Sequence, residues 1–237
     1  LCSHLGEETM ATRCEERYAK MEEVAPKIVE QYFLEAKHPT APGSKQAAAL
    51  MALAGILDAE KANKEVLSIE GARGFSTFYG YYMLQAMAKA GDYEGAMQVI
   101  RDFWGGMLDM GATSFWEDFN IDWLPNAAPI NELVPEGKKD IHGDFGAYCY
   151  EGFRHSLCHG WASGPTAWMI EHVLGVEVVE AGGKVVRITP HLGNLQWAKG
   201  SFPTPYGDIT ISHERKADGS VKSKIDAPRG VKIVREE

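Results

Sequence analysis

Residues 74–111 read GFSTFYGYYMLQAMAKAGDYEGAMQVIRDFWGGMLDMG, and this stretch decides the fold class. Phe75, Phe78, Tyr79, Tyr82 and Ala86 recur at helical spacing and predict one apolar helix face that ends at Gly91. Glycine closes a helix in the left-handed conformation without steric cost, and the aspartate that follows, Asp92, offers its carboxylate to the unpaired N–H groups of the next helix. Tyr93, Ala96, Met97, Ile100, Trp104, Met107 and Leu108 then form a second face, expected to run to about Met110 and stop at Gly111. Two helices joined by Gly-Asp make a tight helical hairpin.

The same periodicity extends upstream. Leu1 to Gly6 reads as the last turn of a helix, so the chain is expected to start inside an element of a larger protein. Ala11, Cys14, Tyr18, Met21, Ala25, Ile28 and Tyr32 mark the apolar face of a long helix that Pro26 should kink. After a turn through His38 to Gly43, Ser44 is a candidate N-cap for a helix with Ala47, Leu50, Met51, Ala54 and Leu57 on one side.

Downstream of Gly111 lies a long polar and aromatic connection, 119–153, of a length that usually carries function. Helix returns near Pro165, which suits a first helical position, and ends at Gly175. Beyond it the pattern alternates. Val185 to Ile188, Ile209 with Ile211, Val221 with Ile225, and Val231 with Ile233 predict short antiparallel strands, with Asp218-Gly219 as a type I′ hairpin turn. The expected fold class is mainly α with a C-terminal β part, divided into 1–175 and 176–237.

Composition narrows the function. The chain has 237 residues, 45% of them hydrophobic and 24% charged, which is the balance of an ordinary globular protein. Its formal net charge of -9 would repel a phosphate backbone, so nucleic acid is not an expected partner. No apolar run is long enough to span a bilayer. Cys2, Cys14, Cys149 and Cys158 are too few for a disulfide-stapled fold and are expected to be buried free thiols.

Three segments could carry chemistry. In Gly111-Ala112-Thr113-Ser114-Phe115-Trp116-Glu117-Asp118-Phe119 a carboxylate stands beside a tryptophan just past a helix end. Sugar-cleaving sites pair two carboxyl groups with aromatic faces, and Glu117 with Trp116 could supply half of one. Spacing alone favours the plainer reading, with Trp116 a core anchor and Glu117 an exposed loop acid. The segment 154–165, RHSLCHGWASGP, gathers His155, Cys158, His159 and Trp161 before a helix start. A metal site there would need a fourth ligand at motif spacing, which is missing, so histidines in the core or in contact with sugar are the better reading. In Asp140-Ile141-His142-Gly143-Asp144-Phe145-Gly146, Asp144 could line a pocket mouth or close a solvated turn.

Taken together, residues 111–117 and 156–165 resemble the two C-terminal signatures of the α-L-rhamnosidases of glycoside hydrolase family 78. The hairpin of 74–111 and the closing region with Trp197, Pro205, Tyr206 and Gly207 are similar to the family as well. The resemblance implies the second half of a six-hairpin (α/α) barrel followed by a small antiparallel β-sandwich. It also implies inverting hydrolysis of terminal α-L-rhamnosides with Glu117 as general base and His159 in contact with the sugar, Trp161 lying near the pocket. Trp116, His155 and Asp144 are further candidate sugar contacts. Neither a metal nor an organic cofactor is implied. The family's general acid lies in an upstream motif that nothing in this chain resembles, so the chain alone is expected to hold a half-built pocket. The missing N-terminal part, or dimerisation through exposed barrel faces, would then complete or cover it. The alternatives are a hydrolase or lyase of other sugars on the same barrel, and a non-catalytic carbohydrate-binding module.

Overall fold

A computed structural model describes residues 1–28, 44–141, 144 and 156–235. Tyr32, the turn through His38 to Gly43, His142, Cys149, Glu151 and His155 lie outside the described residues.

A single 3₁₀ turn, Ser3–Leu5, closed by Gly6 at φ 76°, precedes helix α1, Glu8–Ile28, which contains Pro26. Helix α2, Lys45–Leu53, starts at Ser44, whose side chain accepts from the Ala47 N–H. Helix α3, Ala59–Ala62, is capped by Asp58 and widens into a π-helical turn, Asn63–Leu67. Helices α4, Gly80–Lys89, and α5, Tyr93–Asp109, form the expected hairpin: Gly91 has φ 78°, and the Asp92 carboxylate accepts from the Gly95 N–H. Helix α6, Gly164–Trp168, carries Pro165 in its first turn and passes into a second π-helical turn, Met169–Val173.

The helical faces differ from the sequence reading in three places. In α2 the buried residues are Lys45, Ala48, Ala49 and Ala52, while Leu50 is exposed. Close packing on α4 selects the small side chains, because alanines let two helix backbones approach where leucine would hold them apart. In α1 only Ala11 is buried, and Tyr18, Met21 and Ile28 of the expected core face are exposed. In the central hairpin, Phe78 and Leu108 are exposed, whereas Met83, Leu84, Met87 and Phe103 fill the core.

After Val173 the chain turns to strands. Strands β1, Ala127–Ala128, and β2, Lys139–Asp140, form only a two-residue parallel bridge inside the long connection. The C-terminal region holds β3, Val176–Val178, β4, Val185–Ile188, β5, Trp197–Thr204, β6, Gly207–Arg215, β7, Val221–Asp226, and β8, Lys232–Val234. They make two three-stranded sheets, β3-β4-β8 and β5-β6-β7. The expectation of antiparallel strands throughout is corrected, since β8 returns to pair in parallel with β4. The β6–β7 loop is also not a type I′ turn. That turn requires positive φ at both central residues, and here Gly219 alone is positive, at 85°. Gly219 donates to the Lys216 carbonyl, and Lys216 donates to Ser220, the pattern of a three-residue loop with a glycine bulge.

One hydrophobic cluster joins the helices to the sheets. Trp168, Leu174, Val186, Ile188, Leu192, Ile209 and Ile211 belong to the same buried set as Met83, Phe103 and Trp116. His213 is fully buried within β6, held by Ser223 and the Leu174 carbonyl. Among the described residues the expectation of buried thiols is corrected, because Cys14 and Cys158 are exposed and Cys2 is partly so. Helical and connecting positions at the surface leave those sulfurs in water.

Candidate functional site

The two segments singled out in the sequence meet in space. Backbone hydrogen bonds tie Glu117 N–H to the Ser156 carbonyl at 2.8 Å and His159 N–H to the Phe115 carbonyl at 2.7 Å. The Ser114 hydroxyl donates to the Leu157 carbonyl at 2.8 Å, so 114–117 and 156–159 run alongside each other as a short irregular ladder. The α4–α5 hairpin holds this ladder from beneath. Trp104 Nε1 donates to the Ala162 carbonyl and Trp168 Nε1 to the Leu84 carbonyl, pinning the second segment to both helices. Gly80 and Gly164 allow this approach, because a Cβ on either would press into Trp104 or Tyr81.

Glu117 is half-buried and held from several sides. Its Oε2 accepts from the Ser156 N–H at 2.7 Å. Its main-chain carbonyl accepts from Trp161 Nε1 at 2.9 Å and from the hydroxyl of Thr77, which is buried. One carboxylate oxygen is thus anchored, while the other has no hydrogen bond among the described residues. Such a group can hold a fixed direction and still accept a proton from water. Next to it, burial holds the Asp118 carboxyl above the ordinary carboxylate range and the Glu117 charge adds to this, against the Phe119 N–H, which favours its ionised form.

His159 is half-buried, with its ring stacked on Trp161 at 4.1 Å between centroids and 25° between planes. Trp161 keeps 39% of its surface exposed and meets Phe78 at 5.6 Å. A hydrogen bond to the Glu117 main chain and a ring stack thus connect Glu117, Trp161 and His159. Trp116 does not belong to this set. Its side chain is fully buried against Phe119, so the expected sugar-stacking role is corrected to that of a core anchor. Asp144 is exposed, and its carboxylate accepts from the Asp140 N–H within its own turn. This bond fits the solvated turn that was the alternative to a place at the pocket mouth. No group of three or more metal-binding side chains occurs among the described residues.

Sequence reasoning missed Thr77 and Asp118, and it placed Phe78 in the core. Only the contact across 40 residues between Thr77 and Glu117 reveals the first. Asp118 was quoted beside Glu117 and carried no separate signal.

Comparison with known proteins finds relatives in sequence and in fold. The family described as bacterial α-L-rhamnosidase C-terminal domain matches residues 175–234. An α-L-rhamnosidase of Alteromonas sp. (strain LOR) is 29% identical over 128 residues, covering 54% of this chain and 12% of that protein. The crystal structure of a family GH78 rhamnosidase of Bacillus sp. GL1 superposes with a TM-score of 0.62 at 26% identity, over 82% of this chain and 19% of that one. The native α-L-rhamnosidase of Aspergillus terreus gives a TM-score of 0.74 at 17% identity, over 99% of this chain and 26% of that one, a likeness of fold. The chain thus spans a small part of the length of each relative. In sequence and in fold it is related to the α-L-rhamnosidases of glycoside hydrolase family 78, and it corresponds to the C-terminal portion of those proteins.

Proposed function

We propose that this chain supplies part of the active site of an inverting α-L-rhamnosidase, with Glu117 as general base and His159 and Trp161 as sugar contacts. The observation that carries this reading is the anchored carboxylate: Glu117 is fixed through Ser156, and its main-chain carbonyl accepts from Trp161, which stacks on His159. In the reaction, Glu117 takes a proton from water as the water oxygen bonds to the anomeric carbon. The bond to the aglycone breaks, and the departing oxygen takes a proton from a second carboxyl group roughly 6.5–9.5 Å away. The acid comes from outside this chain, so the chain by itself binds sugar without turnover.

The helices of 1–175 are read as the second half of a six-hairpin (α/α) barrel, and the sheets of 176–237 as a small β-sandwich. Exposed apolar positions on α1, together with an apolar cavity of about 490 Å³ lined by Ile100, Trp104, Leu108, Phe115 and Met169, are then faces covered by the rest of the polypeptide or by a second copy. Sedimentation across a concentration series reads the second case directly.

The reading is tested by titrating L-rhamnose into the chain and by following p-nitrophenol release from its α-L-rhamnoside, with Glu117→Gln as control and the anomer read by NMR. Binding that His159→Ala weakens about tenfold or more supports the site. Absence of binding at millimolar sugar sinks it. Turnover that Glu117→Gln abolishes would keep Glu117 as base but place the acid inside the chain, with Asp144, Glu132 and Glu151 the first to replace.

A further inference from the structure

A cavity of about 410 Å³ lies where the π-helical turn Met169–Val173 meets the β3-β4-β8 sheet, lined by Tyr93, Glu171, His172, Glu177, Thr189 and His191. None of Glu117, His159 and Trp161 lines it, so what it binds does not depend on the rhamnoside reading. Tyr93 opens α5, Glu171 and His172 belong to the π-helical turn, and Thr189 and His191 follow β4. The His191 N–H donates to the His172 carbonyl at 2.9 Å, which ties the segment after β4 to that turn.

The proton positions around the cavity follow from Glu171. Its half-buried carboxylate accepts from the Tyr81 hydroxyl, at 3.1 Å to Oε1, and from Gln85 Nε2. A carboxylate accepts and does not donate, so the Gln85 amide nitrogen faces it and Gln85 Oε1 faces His172 Nε2, 2.9 Å away. His172 Nε2 therefore carries the proton. Burial, with His191 adding, pulls the pKa of this ring down to about 4, so at neutral pH it is uncharged and Nδ1 is an acceptor.

Glu171 thus receives hydrogen bonds from neutral donors only. Among the described residues no Lys, Arg or His nitrogen stands within 4 Å of it, whereas Glu177 is paired with Arg187 at 2.6 Å. No lysine or arginine lines the cavity. A half-buried carboxylate without a counter-charge attracts a cation. Among the described residues the acids and histidines here do not gather into a metal-binding group, which leaves an organic cation as the better fit. Aromatic rings supply the rest of the lining: Tyr93 and His191 stack at 3.6 Å with 8° between planes, and Tyr93 stands 5.6 Å from His172. Rings beside a carboxylate suit an alkylammonium ion, whose charge is drawn to the ring faces and whose N–H groups donate to carboxylate and imidazole.

We propose that this cavity binds a small primary ammonium ion, with Glu171 as its charge partner, Tyr93 and His191 as its aromatic wall and His172 as a further acceptor. A neutral polyol of the same size would gain the hydrogen bonds but not the charge.

The test is NMR titration of this chain at physiological salt, which screens the other surface acids. The probes are ethanolamine and, as its neutral counterpart of equal size, ethylene glycol, with the ring protons of His172 and His191 as the reporters of place. Ethanolamine is expected to shift both rings and to bind about tenfold more tightly than the glycol. Glu171→Gln brings that ratio to about one, and Tyr93→Leu weakens ethanolamine about threefold. Each ratio is taken within one variant, so a uniform loss from partial unfolding cancels. Should Glu171→Gln fail to fold, the wild-type ratio and Tyr93→Leu still decide. Equal affinities for the two probes, or a preference that survives Glu171→Gln, overturns the proposal. Binding that leaves the His172 and His191 rings unshifted overturns it as well, since the amine then sits elsewhere.

Discussion

Glu117 and Ser156 bond each other twice: the Glu117 N–H donates to the Ser156 carbonyl at 2.8 Å, and the Ser156 N–H donates back to Glu117 Oε2 at 2.7 Å. The side chain proposed as base is therefore also a structural clasp between two distant segments. Glu117→Ala leaves the Ser156 N–H without its acceptor and is expected to cost about 1–2 kcal/mol in urea unfolding, whereas Glu117→Gln keeps an acceptor oxygen and costs less. Equal losses in the two variants would contradict the clasp.

Trp116 and Trp161 should separate stability from binding. Trp116 is fully buried, so Trp116→Ala is expected to remove about 3–5 kcal/mol of stability. Trp161 is partly exposed and gives up one hydrogen bond to Glu117, so Trp161→Ala should cost about 1 kcal/mol in stability yet weaken L-rhamnose binding. Denaturation midpoints together with sugar titration give both readings. A Trp161→Ala chain that binds as well as wild type would take Trp161 out of the site.

His172 gives acidification a defined effect. Burial, with the neighbouring His191 adding, pulls its pKa down to about 4, and Gln85 Oε1 stands 2.9 Å from Nε2. The unfolded chain titrates this ring near 6.5 and so binds the proton first as pH falls. Stability is therefore full above about pH 6.5 and is lost progressively down to about pH 4. Burial likewise lowers the buried His213, with the same sign. After allowance for solvent screening, His172 should account for about 1–2 kcal/mol of that loss. Thermal midpoints measured from pH 7 to 4 should fall less steeply in His172→Gln, and an unchanged slope would contradict the assignment.

Gly91 and Gly175 both need positive φ, but their surroundings differ. At Gly91, with φ 78°, an added Cβ meets nothing within 4 Å. Gly91→Ala should cost only the backbone strain, about 1–2 kcal/mol. At Gly175, with φ 72°, the Cβ would overlap the Thr189 carbonyl at the junction of helix and sheet. Gly175→Ala should therefore be clearly the more damaging of the two in urea unfolding, and equal costs would argue against the close approach.

Most of the helix punctuation was legible. Gly6, Gly91, Gly111 and Gly175 adopt the left-handed conformation at element ends, and Ser44 and Asp92 cap as expected. Four of the six C-terminal strands were marked by their apolar alternation. Strand β5 escaped notice because Lys199, Gly200, Ser201 and Pro203 break that pattern, and β3 because it has only three residues. Of the candidate site, Glu117, His159 and Trp161 were identified by motif and are found together. Trp116 was named with them and is buried in the core, and Asp144 is exposed and bonded within its own turn.

What the sequence by itself determined is what neighbouring residues decide among themselves: where helices start and stop, where the pattern turns from helical to alternating, and which short segments carry chemistry. These depend on φ preferences and on hydrogen bonds spanning a few residues. The tertiary structure alone decided which face of α2 is buried, that β8 pairs in parallel with β4, that Trp116 is interior while Phe78 is exposed, and that Ser156 and Thr77 hold Glu117. Each of those outcomes is a contact between residues far apart in the chain. Hydrophobicity can say that a ring gains by leaving water, but only the packing of the other elements says which ring does so.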